Sequence, residues 1–308
     1  MPATPCSPRA LLSTVALVLA LSGPGISRAA EALNPAGPAN APPSAGELAS
    51  ADKGFSYFIG LARQNIHYRE TGTTLPFQSD ARSGSALLVT GALYAVNPQL
   101  LLSLDAETTF YPGDTTEQWT ARSDSFGGVA LSSRLLQTNG FNLAQSRTQL
   151  LGHYRLQQPW FGLGGLAMHT QSFRRYSFKA GPDDAVATPS GTTVEESTAE
   201  VLLNLGVGLE SEQVRGEANH YGVRATLGVP LWRRLRNTTV PGVQFDGRSG
   251  VDLALEGRYS WAVHRNIHIG LWGQWLLSQR GQQAVDRVEV PKSRFDSLSY
   301  GLELLWKL

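Results

Sequence analysis

The chain has 308 residues, 42% of them hydrophobic, with 26 Lys and Arg against 25 Asp and Glu and a formal net charge of +1. That balance argues against a nucleic-acid partner recruited by bulk charge. The only cysteine is Cys6, which excludes a disulfide framework, and only four of the 26 basic residues are lysines (53, 179, 292 and 307), so the positive charge is mostly arginine, suited to pairing with carboxylate or phosphate.

At the N-terminus, Arg9 precedes the short apolar run "ALLSTVALVLAL" (10–21), and Ser27 and Ala29 occupy the small-residue positions of a cleavage site. This layout predicts a secretory signal peptide over 1–29. The run is too short for a transmembrane helix, which needs about 20 residues. Cys6 lies before the run, so it is not a lipid-anchored first residue, and the mature chain has no cysteine. Residues 30–53 are rich in Ala, Pro and Gly with almost nothing to bury, which predicts a flexible linker.

Residues 54–308 read as one all-β domain. Apolar and polar residues alternate along "GVDLALEGRYSWAV" (250–263): Val251, Leu253, Leu255, Gly257, Tyr259, Trp261 and Val263 on one face, Asp252, Glu256 and Arg258 on the other. In a soluble sandwich the apolar face would form a core; in a membrane barrel it would meet lipid and the charges would line the lumen. No segment of the mature chain is continuously apolar over helix-spanning length, so a membrane form must be a closed barrel.

The same period recurs in "QLLLSLDAETTFY", "AEVLLNLGVGLE", "YGVRATLGVPL", "NIHIGLWGQWLLSQR" and "SLSYGLELLWKL". Counting 54–70, 84–95, 99–111, 142–156, 160–178, 197–210, 218–232, 250–263, 267–280 and 297–308 gives about ten strands. Short turns near 97–98, 157–159, 211–216 and 264–266 alternate with long polar connections at 71–84, 112–141, 179–196, 233–249 and 281–296. The stretch 112–141, with "FGGVALSSRLLQ", fits neither helix nor strand cleanly; two more strands there would make twelve. The expectation is an antiparallel up-and-down transmembrane β-barrel with both chain ends at the short-turn rim. Tyr94, Trp160, Phe161, Tyr259, Trp261 and Trp306 fall near that rim, and Phe110, Tyr111, Tyr176, Phe178 and Trp232 near the other, as two interfacial aromatic belts would.

With that pattern and the ending "YGLELLWKL", the chain resembles the bacterial outer-membrane β-barrel proteins over roughly 55–308. The resemblance implies outer-membrane location and a last-strand signal for the barrel-assembly machinery, matched by Tyr300, Leu302, Leu304 and Trp306. Leu308 departs from it, since such proteins usually end in Phe. Fold does not imply function.

If the apolar faces meet lipid, then Leu253, Leu255, Tyr259, Trp261, Leu302, Leu304 and Trp306 face the bilayer. The lumen then receives Asp105, Glu107, Arg147, His153, Arg155, Glu200, Arg224, Asp252, Glu256, Arg258, Glu303 and Lys307. Charges of both signs in so narrow a bore must pair, which disfavours a general-diffusion porin and leaves a narrow channel or a structural envelope protein. An outer-membrane enzyme acting on lipid or surface peptides is the alternative; a soluble periplasmic barrel or sandwich is the third. The six histidines are scattered, and no H-E-x-x-H, G-x-S-x-G or C-x-x-C motif is present, so no metal, cofactor or catalytic set is assigned. At the long-loop rim, Trp232 with Arg233, Arg234 and Arg236 forms a candidate clamp for lipopolysaccharide phosphates. A solvated positive rim explains so short a run equally well.

Overall fold

The computed structural model describes residues 54–157, 159–186, 191–211, 219–285 and 288–308. The expected signal peptide and linker lie outside these residues. The described chain forms fifteen strands: β1 (Phe55–Thr71), β2 (Phe77–Asn97), β3 (Leu100–Tyr111), β4 (Thr115–Ala121), β5 (Ser125–Phe126), β6 (Val129–Ala130), β7 (Leu135–Gln157), β8 (Trp160–Ala180), β9 (Val194–Glu210), β10 (Asn219–Asn237), β11 (Gly250–His264), β12 (Ile267–Arg280), β13 (Gln283–Val285), β14 (Val288–Val290) and β15 (Lys292–Lys307).

Ten of these make a closed antiparallel ring: β1, β2, β3, β7, β8, β9, β10, β11, β12 and β15, with β1 pairing both β2 and β15. The stretch 112–141 adds no strand to the circuit. After a break at 112–114, β4 takes over the position of β3 between β2 (Phe77↔Ala121) and β7 (Thr115↔Phe141), so the two are one wall strand in two pieces. β5 and β6 form a separate hairpin, as do β13 and β14. The twelve-strand alternative is therefore set aside.

Several strands reach further towards the long-loop rim than the sequence pattern predicts. β2 begins at Phe77 instead of 84, β7 at Leu135 instead of 142, and β15 at Lys292 instead of 297, while β10 continues to Asn237. β7 spans 23 residues and β2 spans 21. Crossing a bilayer takes only about 9–11 residues per strand, and at about 3.4 Å per residue and a tilt near 40° a strand like β7 rises roughly 60 Å against an apolar band about 25 Å tall.

The outer surface shows where that band ends. On β1 the outward residues are Phe55, Tyr57, Ile59 and Leu61, then Arg63, Asn65, His67 and Arg69. β15, its neighbour, stays apolar two outward positions further, with Tyr300 beside Arg63 and Leu298 beside Asn65, and then turns to Asp296 and Arg294. β8 passes from Leu166 and Met168 to Thr170, Ser172 and Arg174. The inward set runs the other way. Deep in the upper half, Ile66, Tyr68, Phe141, Leu143, Phe173, Leu276 and Phe295 pack as a buried apolar cluster. The lower half is thus inside-out and the upper half is arranged like a soluble barrel.

Candidate functional site

The bore is filled by side chains in layers, and two of these layers are charged networks built mostly from the predicted lumen residues. In the lower one, Arg224 of β10 donates to Asp105 Oδ2 at 2.9 Å and Glu256 Oε2 at 2.8 Å. Arg258 of β11 donates to Glu256 Oε1 at 2.9 Å and Asp105 Oδ1 at 3.2 Å, lies 3.5 Å from Glu303 Oε2, and stacks its guanidinium 4.0 Å above the Phe58 ring. Asp105 and Glu256 are each shared by both arginines, and Glu303 joins through Arg258, so the network reaches across the bore from β3 to β15. Glu107 and Arg147 face each other across the β3–β7 pairing and border the same layer. Two small cavities beside this network measure about 10 and 20 Å³, space for about one water molecule each.

The second network lies higher on β8, β9 and β11, and it separates Glu200 and Asp252 from the rest of the predicted set. Arg233 Nε donates to Glu200 Oε2 at 2.8 Å and Arg280 Nη2 to Glu200 Oε1 at 3.3 Å. His169 Nδ1 is 3.3 Å from Glu200 and 3.9 Å from Asp252. Arg280 also donates to Gln171. The ligand atoms of His169, Glu200 and Asp252 lie within 4.8 Å of one another. Both Glu200 oxygens already accept from guanidinium groups, however, and two cations facing two carboxylates need no metal to balance them. The donor set reads as an ion-pair cluster centred on Glu200, with Asp252 beside His169.

Arg233 is a correction. It is not a rim residue available to lipopolysaccharide: it is 1% exposed and points into the bore, where its Nη1 also donates to the carbonyls of Ser249 (2.8 Å) and Gly247 (3.2 Å). The cause is a β-bulge between Pro230 and Trp232 in the β9–β10 pairing. One extra residue shifts the side-chain phase, so Leu231 and Trp232 both point outward, Arg233 turns in, and Arg234 and Arg236 turn out. Phe161 is a second correction. Its neighbour Trp160 is exposed, so alternation turns Phe161 inward against His153, and it belongs to no outer belt. Tyr94, Trp160 and Tyr259 stay exposed at the lower rim, as do Phe110, Tyr111 and Trp232 higher up.

The remaining predicted residues fall as follows. Leu253, Leu255, Tyr259 and Leu302 are exposed on the outer face, with Trp261, Leu304 and Trp306 half-buried beside them; Trp306 stacks on Tyr57. His153, Arg155 and Lys307 lie near the short-turn end, where Lys307 contacts His220 and His220 packs against His268.

Two groupings were not visible in the sequence. Above the apolar cluster, Arg175 donates to Glu117 (2.7 Å) and Glu70 (2.7 Å), Tyr68 donates to Glu70 (2.6 Å) and Asn139 donates to Glu117 (2.9 Å), a third charged layer. Strand phase alone would place these residues inward, but Glu117 and Asn139 lie in the stretch that reads as a loop. Lower down, Ser103 Oγ and His153 Nε2 are 2.9 Å apart. This pairing of a hydroxyl with an imidazole resembles an activated nucleophile. Both residues are buried in the filled bore, and Ser103 has the carboxylate of Asp105 at 3.3 Å on its other side, so there is no room for a substrate carbonyl.

The long connections are tied to one another. Asp183 accepts from the backbone amides of Ser132 and Ser133, each at 3.0 Å, and from the Ser132 hydroxyl. Glu289 accepts from the Thr73 amide (3.1 Å), the Thr73 hydroxyl (2.9 Å) and the Thr74 amide (3.2 Å). The Ser132 hydroxyl and the backbone donors hold the Asp183 carboxyl below its ordinary value. Partial burial pushes Glu289 up, but the hydrogen bonds from Thr74 and Thr73 outweigh it and leave that carboxyl lowered too. The segment 238–249 folds back on β10 through the Leu235↔Phe245 bridge, with Phe245 fully buried.

No family model matches the sequence, and no curated protein matches it. The structure is similar to that of the outer membrane protease OmpT from Escherichia coli, with a TM-score of 0.59 at 12% identity, covering 83% of this chain and 97% of that one. Also matched are Ail, the attachment invasion locus protein of Yersinia pestis (TM-score 0.31, 9% identity, 83% and 99% covered), and the outer membrane protein OprG from Pseudomonas aeruginosa (TM-score 0.32, 10% identity, 83% and 95% covered). At such identities the likeness is one of fold, and the ring, its alternation and the OmpT match agree: the chain has the antiparallel barrel fold of bacterial outer-membrane proteins.

Proposed function

We propose that the protein is a non-enzymatic outer-membrane barrel whose bore is closed and whose role is structural, carrying a rigid, loop-laced platform above the membrane. The observation that carries this reading is the filling of the bore: two ion-pair networks and the aromatic cluster of Phe141, Phe173 and Phe295 lie in series along it. A solute on the axis would have to break buried ion pairs and then displace packed aromatics, each step costing several kcal/mol. Of the two versions weighed from the sequence, the structural one is therefore preferred to the narrow channel. The apolar outer belt counts against the soluble alternative, because so continuous an exposed apolar surface needs a cover, and lipid supplies it.

On this reading the chain is exported by its signal peptide and inserted by the barrel-assembly machinery, with β15 as the terminal strand. Its partners are outer-membrane lipid and, at Trp232, Arg234 and Arg236, lipopolysaccharide. Planar-bilayer recording of the purified barrel tests the closed bore. No single-channel steps are expected across salts and small solutes; reproducible steps that change when Phe173 is replaced by Ala would overturn the reading in favour of a channel.

A further inference from the structure

Outward-facing glycines meet across strands at two places in the belt that faces lipid, Gly152 with Gly164 and Gly257 with Gly273, and at the second a groove opens. Gly257 of β11 and Gly273 of β12 are paired neighbours, and both point outward. In their register row they lie between Val223 and Tyr300, with Tyr259 and Leu271 one step below. The result is a depression of about 620 Å³ in the apolar wall. The glycines are not needed for close packing: a Cβ at Gly257 would meet nothing within 4 Å, and one at Gly273 would come only within 3.8 Å of the Ser299 carbonyl oxygen.

One strand further along that row, Tyr300 pairs with Arg63 of β1. Arg63 is the first charged residue above the belt on its strand. It is exposed and makes no ion pair or hydrogen bond among the described residues. Its side chain bends up over Gly84 of β2, where a Cβ would come within 2.7 Å of Nη2, as an arginine at the edge of an apolar surface does to reach polar surroundings. There it enters a second outer groove, of about 530 Å³, that also holds Arg82 and His67. The acids nearby are engaged elsewhere: Asp296 by Arg294 and Arg69, Asp80 by His67 at 2.6 Å, and Asp114 by Tyr176 and Asn142. Arg82 is 77% exposed and only 4.0 Å from Asp80, so the groove keeps two cations available.

We infer that these adjoining grooves form one binding site for a phosphate-bearing lipid, with an acyl chain lying in the Gly257–Gly273 notch and the phosphate held by Arg63 and Arg82. Lipid is the committed occupant because the notch is apolar and lies within the belt, and because the cations lie just above its edge, where a headgroup phosphate would be. Guanidinium groups take phosphate oxygens by charge-assisted hydrogen bonds. The site is separate from the Trp232 rim, on the other side of β11 and β12, and it rests on the membrane placement proposed above, which vesicle flotation tests by itself.

Native mass spectrometry of the detergent-solubilised barrel tests the site, with phosphatidic acid as the probe, diacylglycerol of the same chains as the headgroup control and inorganic phosphate as competitor. One phosphatidic acid is expected to stay bound, with retention of diacylglycerol at least fivefold lower. Arg63→Gln and the double variant Gly257→Leu with Gly273→Leu should each lower phosphatidic acid retention at least fivefold while the heat-modifiable band is unchanged. Arg63→Gln keeps the test decisive if the leucine variant assembles poorly. Retention unaffected by Arg63→Gln would overturn the inference. So would full competition by millimolar inorganic phosphate, which would mean an ion site, or loss of a dimer on filling the notch, which would mean a second copy occupies it.

Discussion

The lower and upper halves of the barrel use the same strands and the same alternation, yet they solve opposite problems. Below Leu61 on β1 and Leu298 on β15 the outward residues are apolar and the inward ones include Asp105, Arg224, Glu256 and Arg258. Above them the outward residues are Arg63, Arg82, Arg174 and Asp296, and the inward ones include Ile66, Phe141 and Phe173. The backbone ring is continuous across the boundary, so what changes is which side of the wall carries the charges. On the membrane placement proposed above, the polarity of the wall changes partway along each strand, and the position of that change marks the membrane surface.

This contrast can be broken from either side. The largest effect is expected in the lower interior. Arg258→Ala removes one partner from Asp105, Glu256 and Glu303 at once and should lower the unfolding free energy by about 3–5 kcal/mol, the usual result of leaving buried charge unpaired, read as a shift in the urea midpoint of vesicle-inserted protein. Leu255→Arg on the lower outer face should block or impair assembly, because an arginine near the bilayer centre costs about 2–4 kcal/mol; the folded band in heat-modifiability assays reads it. The matched change above the boundary, Arg174→Leu, exchanges charge for apolar surface in water and should move stability by no more than about 0.5 kcal/mol. If Leu255→Arg and Arg174→Leu behave alike, the two halves do not face different media.

The smallest effect concerns the loops. The Asp183 carboxyl lies below its ordinary value in the folded protein, so its hydrogen bonds to Ser132 and Ser133 hold at neutral pH. Their contribution starts to fall once pH drops below the unfolded value of about 3.9 and is lost as pH passes through the lower folded value. The protection of the Ser132 and Ser133 amides, measured relative to their intrinsic exchange rates at each pH, should therefore fall in acid, and Asp183→Asn should remove that loss of protection. Equal acid sensitivity in the two proteins would show that the latch does not act through this carboxylate.

The sequence carried the lower half well and the upper half poorly, for one physical reason. In the belt, alternation sets leucine and aromatic residues against charges, and "GVDLALEGRYSWAV" can be assigned face by face. Near the boundary the two faces exchange character, so segments such as 77–83 and 292–296 carry polar residues on the outside and bury serines, Ser79 and Ser293, beside Ala81 and Phe295, and such a mixture reads as loop. The interior network was legible where strand phase was regular, which covers Asp105, Arg224, Glu256, Arg258 and Glu303. Arg233 was misplaced because a bulge shifts phase by one residue and leaves no mark in composition. Ser103 and His153 were missed as a pair because their contact depends on how β3 and β7 are registered, which two distant segments do not reveal.

The position of the boundary is tested most directly by depth measurement along one strand. The mature chain is expected to have no cysteine of its own, so single cysteines at the outward positions Ile59, Leu61, Arg63, Asn65 and His67 can be labelled with a fluorophore in vesicles containing lipid-borne quenchers. Strong quenching is expected at Ile59 and Leu61, a sharp fall at Arg63 and almost none at Asn65 and His67. Uniform quenching along all five positions, or none at Ile59 and Leu61, would contradict the account.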